Sequence, residues 1–429
     1  MMKVFNEPSI NEWASILARP TIDAAQLHDK VNAIIKEVVV GGDDAIKKLT
    51  LQFDGISINE LKVPVEKIAA AENLISAALK TAIQLAKVNI EIFHNSQIQK
   101  VERIETMPGV WCWRKSVGIE KVGIYIPGGS APLFSTVLML GVPAKMAGCK
   151  EIILCTPPNE QGDIHPAILY AASLVGVTAI YSVGGAQAIA AMAYGTQTIP
   201  KVDKIVGPGS AWVTAAKQIV AEDAAGAALD LPAGPSEVLV IADDAANPAF
   251  VAADLLAQAE HDPLSQAILL TTSRELAEAV RTSALAQLPK LSRRDILDQS
   301  LQRSRLIVVS DLATALRISN DYAPEHLILQ LRDARQHLPA ITSAGSIFLG
   351  AWSPEPMGDY CSGTNHVLPT YGYARAYSGL SVHDFLKRIT VQELTPDGLR
   401  GLGPTASVLA GIEGLDAHAL AVDLRLAAL

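Results

Sequence analysis

The sequence predicts an α/β protein with two Rossmann-like parallel-sheet domains and small helical segments at its termini. Short, unbroken apolar runs alternate with helical segments of about a dozen residues, and the alternation occurs in two successive series. The chain has 429 residues, of which 49% are hydrophobic and 5% aromatic, which favours a helix-rich α/β protein over an all-β one. Apolar runs without polar alternation are typical of parallel sheets covered by helices on both faces.

A helix-favouring stretch, residues 65–99, precedes the first series. Apolar residues recur there at three- and four-residue spacing, which predicts one long helix or two abutting helices. The apolar run "VGIYI" then ends in Pro127, Gly128 and Gly129, and a helical segment follows. The same pattern repeats after the runs "EIILCT", "AIYSV" and "KIVG".

The second series begins at "SEVLVIADD" and continues through "QAILLTT", "RLIVVS", "HLILQL" and "SIFLG". From Ser381 onward the sequence predicts helices only. We therefore divide the chain into four parts: an N-terminal helical segment (1–22), a first α/β domain (23–121 with 237–380), a second α/β domain (122–236) and a C-terminal helical module (381–429).

Charge and composition exclude several classes of protein. The formal net charge of −9, without clustered Lys or Arg, argues against a nucleic-acid-binding protein. No secretory leader or membrane-length apolar run occurs, so we expect a cytoplasmic protein with no membrane association. The four cysteines are scattered and form no C-x-x-C pair, which indicates neither a zinc knuckle nor a disulfide framework.

Glycine turns mark the predicted strand-to-helix junctions, where ligands bind in open parallel sheets. They occur at Gly128 and Gly129, at Gly184 and Gly185, and at Gly207 and Gly209. Such turns let backbone amides approach a phosphate at a helix start. None matches the full G-x-G-x-x-G pattern, and tight turns alone also require glycine, so nucleotide binding and plain turn geometry both remain open from these residues.

Polar residues with metal-ligand chemistry occur in three separate segments. Gln258 and His261 are three residues apart at the end of an amphipathic helix, so both side chains can face one ion. On their own they fit a plain polar helix end before Asp262 and Pro263 better than a metal site, which would need a third and a fourth ligand. Nitrogen and oxygen ligands from separate segments suit a catalytic zinc. Further candidates are Asp359 and His366 in a glycine-rich loop, and Glu413 and His418 in the C-terminal module.

Glu325 and His326 are adjacent, directly after Pro324. Proline disfavours helical geometry in the preceding residue, so Ala323 should leave the helix and "PEH" should form a turn that leads into the strand "LILQL". A carboxylate and an imidazole placed in a turn can handle two different protons. The structural alternative is a surface glutamate beside a turn-capping histidine. Two other reaction classes also fit these groups: hydrolysis by zinc-activated water and a thioester mechanism at Cys361.

Long motifs along nearly the whole chain resemble those of histidinol dehydrogenases. They are "VGIYIPGGSAPLFSTVLML", "VGGAQAIAAMAYG", "DLPAGPSEVLVIAD", "DLLAQAEHDP", "YAPEHL" and "GDYCSGTNHVLPTYGYARAYSGL". The resemblance implies oxidation of L-histidinol through L-histidinal to L-histidine with two NAD⁺, the last two steps of histidine biosynthesis. It also implies one Zn²⁺ per subunit and a homodimer with swapped terminal segments.

The same resemblance implies roles for individual residues. His326 would take the hydroxyl proton, and Glu325 would activate the water that hydrates the aldehyde. The first α/β domain would carry most of these groups and the second would bind NAD⁺. By motif match the zinc ligands are Gln258, His261, Asp359 and His418; the substrate-binding residues are Ser236, Gln258, His261, His326, Asp359, Glu413 and His418; the NAD⁺ contacts are Tyr125, Gln187 and Ser210. Glu413 and His418 would complete the partner's site, and His366 would also line the pocket.

Ser210 departs from the family pattern, since this chain has "GPGSA" where the family usually has "GPGNA". A hydroxyl is shorter than an amide and lacks its paired donor and acceptor, which predicts a weaker NAD⁺ contact. Two further functions fit the pattern: a dehydrogenase of the same fold acting on another small alcohol or diol, and a zinc hydrolase or noncatalytic metabolite-binding protein. The intact Glu413 and His418 argue against the first of them.

Overall fold

The computed structural model describes residues 2–20, 24–128, 131–232 and 234–429. Its strands are β1 (Lys3–Asn6), β2 (Ile104–Met107), β3 (Val110–Gly118), β4 (Lys121–Tyr125), β5 (Glu151–Thr156), β6 (Ala179–Ser182), β7 (Lys204–Val206), β8 (Ala228–Leu229), β9 (Glu237–Ala242), β10 (Gln266–Thr271), β11 (Arg305–Val308), β12 (His326–Gln330), β13 (Ser346–Leu349) and β14 (Leu386–Leu394).

The helices are α1 (Ile10–Ile16), α2 (Ala24–Asp54), α3 (Val65–Ala70), α4 (Ala77–Asn95), α5 (Phe134–Met146), α6 (Pro166–Val175), α7 (Gly185–Tyr194), α8 (Ala211–Glu222), α9 (Pro248–Ala259), α10 (Arg274–Gln287), α11 (Arg294–Arg303), α12 (Leu312–Tyr322), α13 (Glu355–Tyr360), α14 (Pro396–Ile412) and α15 (Asp416–Ala427). Short 3-10 turns lie at Ala71–Leu74, Leu288–Lys290, Ala334–Ala340, Tyr373–Arg375 and Val382–Phe385. Gly129 of the predicted turn, and Thr21 and Ile22 of the predicted N-terminal segment, lie outside the described residues.

The first series of strands forms a five-stranded parallel sheet in the order β6-β5-β4-β7-β8. Alternate side chains of β5 enter two different cores: Ile152 and Leu154 pack with α5 and α6, whereas Ile153 and Cys155 pack with α2, α7 and α8. Both faces are therefore buried, which explains why these strands carry unbroken apolar runs. The prediction of a doubly covered parallel sheet is confirmed.

The second series forms a parallel sheet in the order β11-β10-β9-β12-β13, which is the same order as in the first. Val238 and Val240 of β9 pack with α9 and α10, and Leu239 and Ile241 pack towards α12 on the opposite face. The predicted pair of Rossmann-like units is confirmed.

The N-terminal segment contributes a strand as well as a helix, which corrects the purely helical prediction. Lys3–Asn6 pairs in parallel with Arg305–Val308 and becomes the sixth strand of the second sheet. Four residues are too few to show a strand period in the sequence. The free edge of β11, which is remote in sequence, supplies the hydrogen bonds that make this segment a strand.

The C-terminal module is also not purely helical. Leu386–Leu394 forms a nine-residue strand that pairs antiparallel with Val110–Gly118, and β2 completes this three-stranded sheet. The segment "LKRITVQEL" is short and mixed, so its local pattern fits either structure and a distant partner decides it. Helices α14 and α15 then pack against each other, and α15 buries none of its side chains.

The long N-terminal helices cover the five-stranded sheet. Helix α2 packs against α7 and α8, α3 against α6, and α4 against α5. This packing differs from the division predicted from sequence, which grouped residues 23–121 with 237–380. The predicted helical stretch 65–99 consists of two helices joined by a 3-10 turn. Among the described residues, no helix is both long and apolar enough to cross a membrane.

Candidate active site

Glu325 and His326 lie at the start of β12, beside the start of β9 at the centre of the six-stranded sheet. Ala323 ends α12 in the left-handed region, with φ 53° and ψ 68°, as predicted from the proline that follows it. Ser236 and Glu237 occupy the equivalent place at the start of β9. This cluster is therefore at the amino ends of the strands. The general expectation that chemistry lies at the carboxyl ends of a parallel sheet does not hold for these residues.

The imidazole of His326 is held in one orientation by the backbone. Its Nδ1 lies 3.1 Å from the carbonyl oxygen of Glu237, and a carbonyl can only accept, so Nδ1 carries a hydrogen. In the neutral ring Nε2 then has a free lone pair. Nε2 is buried, lies 3.7 Å from Oδ1 of Asp359 and makes no hydrogen bond to the described residues. This geometry is that of a base aimed at a ligand.

Glu325 is buried beside it, with 5% of its surface exposed. Its Oε2 accepts a hydrogen bond of 2.8 Å from the backbone amide of Glu237 and lies 3.6 Å from Nδ1 of His326. Burial raises the pKa of Glu325 to about 8. Burial by itself would lower the pKa of His326, but the carboxylates of Glu355, Glu325 and Asp359 together raise it well above its ordinary value. Both groups are therefore perturbed in the way typical of catalytic acids and bases.

A group of potential metal ligands lies next to Nε2 of His326. One ligand atom each of His261, Glu355 and Asp359 lies within 4.8 Å of the others. Gln258, near the end of α9 and three residues before His261, is fully buried, yet neither Oε1 nor Nε2 of its amide hydrogen-bonds to any residue that the structure describes. A buried, unpaired amide costs about 1–3 kcal/mol, so a cation bound to Oε1 would account for it. Imidazole, amide and carboxylate ligands of this kind fit zinc.

Glu355 is the member of this group that the sequence analysis missed. It lies at the start of α13, four residues before Asp359, so both carboxylates project from one face of the helix. The spacing in "EPMGD" was visible in the sequence. The sequence did not show that this segment forms a six-residue helix, which is what brings the two carboxylates to one face. Gly358 is needed between them because a Cβ there would lie 2.7 Å from the ring of Phe348.

His366 joins the two α/β units at this site. Its Nδ1 donates to the backbone carbonyl of Asp359 over 2.8 Å, and its Nε2 lies 3.0 Å from the hydroxyl of Thr136 in α5. Because a carbonyl only accepts, the neutral ring accepts from Thr136 at Nε2. His366 thus fixes the backbone of the loop that carries Asp359, and both of its nitrogens contact protein groups.

Glu413 and His418 are placed on the exposed α14–α15 hairpin. Glu413 follows the last residue of α14, and His418 lies in the first turn of α15. Across the described ranges, the metal-ligand cluster within one chain includes neither of them. Exposed apolar side chains surround them, at Leu409, Ile412, Leu415, Leu420 and Leu424. A hairpin with this surface is typical of a segment that packs on another chain.

The residues predicted to contact NAD⁺ lie together at the carboxyl edge of the five-stranded sheet. Tyr125 ends β4 and accepts a 3.0 Å hydrogen bond from the backbone of Gly185, Gln187 is buried in α7, and Ser210 precedes α8. The hydroxyl of Ser210 caps no backbone amide of its helix and is exposed. Gly207, with φ 125°, is required there because a Cβ would meet the carbonyl oxygen of Tyr125.

Comparison with known proteins identifies the family. The sequence model of histidinol dehydrogenase matches residues 17–426. The chain belongs to the histidinol dehydrogenase family. A histidinol dehydrogenase of Bacteroides thetaiotaomicron is 55% identical over 426 residues, covering 99% of each chain, and one of Pectobacterium atrosepticum is 53% identical, covering 98% of this chain and 95% of the relative.

The same family is found among solved structures. The crystal structure of histidinol dehydrogenase from Elizabethkingia anophelis has a TM-score of 0.96 and 50% identity, and the match covers 100% of this chain and 98% of that one. The resemblance inferred from the motifs is confirmed, and so is the enzyme class: as a histidinol dehydrogenase family member the chain is an NAD-dependent oxidoreductase.

Proposed function

We propose that this chain is a zinc-dependent histidinol dehydrogenase that oxidises L-histidinol through L-histidinal to L-histidine with two NAD⁺. One observation carries the proposal beyond family membership: the buried amide of Gln258, unpaired among the described residues, lies near the end of α9, three residues before His261. His261 clusters with Asp359, whose Oδ1 lies 3.7 Å from Nε2 of His326. A metal ligand set and a base thus face the same space. The cytoplasm is the proposed location.

The metal would be held by Gln258, His261 and Asp359 of one subunit and by His418 of the partner subunit. When bound, Zn²⁺ would hold the imidazole and amino nitrogens of the substrate and so orient its reacting carbon. These donors fit zinc because the amide of Gln258, which has no hydrogen-bond partner among the described residues, would gain one as a ligand of the ion. The proposal includes a homodimer in which Glu413 and His418 reach the neighbouring site, and the apolar α14–α15 hairpin supports it.

His326 would act in the first oxidation. Its Nε2 takes the proton of the substrate hydroxyl, while Nδ1 stays bonded to the carbonyl of Glu237 and stabilises the charged ring. NAD⁺ supplies the hydride acceptor in each of the two oxidations. The first therefore yields the aldehyde, NADH and one proton, and the proton resides on His326 until solvent removes it.

Glu325 would act in the second oxidation. Its Oε2 is bound by the amide of Glu237, and within the described residues no hydrogen bond is made to Oε1, so Oε1 can take a proton from water. The hydroxide that results adds to the aldehyde carbon and forms the anion of the hydrate, and the proton taken from water stays on Glu325 until solvent removes it. Hydride transfer from this anion to the second NAD⁺ would give the carboxylic acid and NADH, and the acid then loses its proton to give the carboxylate of L-histidine. Ser236, which directly precedes β9 at the same end of the sheet, would contact the substrate.

Tyr125, Gln187 and Ser210 would contact NAD⁺ at the edge of the five-stranded sheet. Their common location beyond the carboxyl ends of β4, β6 and β7 and the uncapped hydroxyl of Ser210 support this role. With Ser in place of the usual Asn, we propose that this contact is weaker than in most family members.

The deciding experiment is the number of NADH formed per L-histidinol consumed, measured on zinc-loaded protein, after chelation and after zinc is restored. Two NADH per substrate, lost on chelation and recovered with zinc, would establish the double oxidation. One NADH per substrate, together with equal activity on other small alcohols or diols, would indicate a different dehydrogenase. Bound zinc without any NADH would indicate a hydrolase or a binding protein.

A further inference from the structure

Glu237 holds both catalytic side chains through its own backbone. Its amide donates to Oε2 of Glu325 over 2.8 Å, and its carbonyl accepts from Nδ1 of His326 over 3.1 Å. Both bonds are therefore made by the backbone of one residue. A small rotation or shift of Glu237 would therefore move the contacts of both catalytic groups at once.

The side chain of Glu237 is in turn clamped by the N-terminal segment. Arg19 binds it with two hydrogen bonds, Nε to Oε1 over 2.5 Å and Nη2 to Oε2 over 2.9 Å. The backbone amide of Tyr371 adds a third, of 3.0 Å, to Oε1. The carboxylate is 2% exposed and the guanidinium 15%, so this is a buried, bidentate ion pair.

Arg19 is itself fixed by Tyr322, at the end of α12. Its guanidinium carbon lies 3.9 Å from the centre of the Tyr322 ring, and Nη2 donates to the Tyr322 carbonyl over 2.8 Å. Tyr322 precedes Glu325 by three residues. Arg19 therefore contacts both chain segments that bring the catalytic groups together, the start of β9 and the turn before β12.

We propose that Arg19 is a positioning residue for Glu325 and His326 and that it acts through Glu237. This inference rests on the proposed function of those two residues. The ion pair holds the backbone of Glu237 in place, so that its carbonyl accepts from Nδ1 of His326 and its amide donates to Oε2 of Glu325. It also neutralises a second carboxylate beside Glu325, which would otherwise repel it.

The N-terminal segment has other anchors, so docking it is not the main role of Arg19. Strand β1 is paired with β11 along its length. Trp13 is covered by Arg317 of α12, whose guanidinium carbon lies 4.7 Å from the Trp13 ring centre. Arg317 thus offers a matched control, since it is a second arginine at the same docking surface and makes no contact with Glu237 among the described interactions.

The test compares R19M, R19K and R317M in the zinc-loaded enzyme, with L-histidinol and L-histidinal supplied separately. For R19M we expect kcat to fall on the order of 10- to 100-fold in both half-reactions alike, because a displacement of about 1 Å can cost that much. The KM for NAD⁺ and the zinc affinity should stay unchanged. Lysine cannot make the bidentate contact, so R19K should recover only part of the rate. R317M should keep the wild-type kcat.

The double variant R19M/E237Q separates positioning from stability. It removes the buried charge that R19M leaves uncompensated, so its thermal midpoint should return towards the wild-type value even where R19M itself folds poorly. The positioning role predicts that kcat stays low in the folded double variant. A kcat that recovers together with the thermal midpoint would overturn the inference, as would R317M losing as much activity as R19M, or R19M acting at the wild-type rate. If the wild-type enzyme forms no NADH from L-histidinol, the proposed function fails instead.

Discussion

The two parallel sheets of this chain share one strand order, but their candidate functional residues lie at opposite ends of the strands. In the five-stranded sheet the residues proposed to contact NAD⁺ follow the ends of β4, β6 and β7. In the six-stranded sheet the proposed catalytic pair, Glu325 and His326, lies where β12 starts, with Ser236 and Glu237 where β9 starts. The proposed metal ligands Gln258, near the end of α9, and His261, just after it, are there too, because a helix that returns from the end of one parallel strand finishes near the start of the next. Equal topology therefore does not locate a site; the side chains on each edge do.

The largest effect should separate the two proposed catalytic residues at the amino ends of the strands. His326→Gln removes the group proposed to accept the hydroxyl proton, so the rate of L-histidinol oxidation should fall by about 10²- to 10⁴-fold. Glu325→Gln should mainly depress the conversion of supplied L-histidinal. Single-turnover NADH formation from each substrate measures both. Equal losses in the two half-reactions, or a changed KM for NAD⁺, would contradict this division between residues and between edges.

A smaller effect concerns the contact between the two units. His94 of α4 is fully buried, and its Nε2 accepts a 3.2 Å hydrogen bond from the amide of Asn365, in the loop next to His366. Burial lowers the pKa of His94 to about 4. Between the ordinary pKa of about 6.5 and this value the unfolded chain binds more protons than the folded one, so acid destabilises the fold by at most about 3 kcal/mol.

The measurement is the free energy of unfolding as a function of pH, for wild-type protein and for His94→Gln. Wild-type stability should drop as the pH falls from 6.5 towards 4, and the variant should show a shallower slope over the same range. Identical slopes would mean that His94 does not remain neutral in the folded protein.

Glu355→Gln should have a more modest effect, on metal binding. The neutral amide keeps the shape of the side chain but removes one negative charge beside His261 and Asp359, so zinc affinity should fall by about tenfold. Competition with a chelator measures it. Glu260→Gln is the control, since Glu260 is next to His261 in sequence and outside the cluster within the described chain. An unchanged affinity in Glu355→Gln would place Glu355 outside the metal site.

The smallest effect belongs to the carboxyl edge of the other sheet. Ser210→Asn restores the residue usual in the family and should lower the KM for NAD⁺ about fivefold, as expected for one added hydrogen bond of about 1 kcal/mol. The ratio of the rates of L-histidinol and L-histidinal oxidation should not change. If the KM for NAD⁺ stays the same, the hydroxyl of Ser210 already makes the contact or makes none.

Local patterns in the sequence predicted much of the fold and many of the candidate residues. Buried parallel strands carry unbroken apolar runs, so both βα series were predicted, and the effect of Pro324 on Ala323 predicted where α12 ends. The predicted turn was too long by one residue, because His326 is already the first residue of β12. Family motifs supplied the identity and the candidate residues. Glu355 escaped because its spacing matters only within a short helix that the sequence does not reveal.

Long-range contacts decided the rest. Strands β1 and β14 exist because distant edges, at β11 and β3, offered partners to short segments with no clear period of their own. Similarly, the tautomer of His326 and the place of Arg19 depend on Glu237, which is distant from both in sequence. The sequence alone thus determined which residues are apolar, which can bind a metal and which family the chain resembles. Only the folded structure decided which sheet edge they share, because hydrogen bonding between remote segments leaves no local trace in the chain.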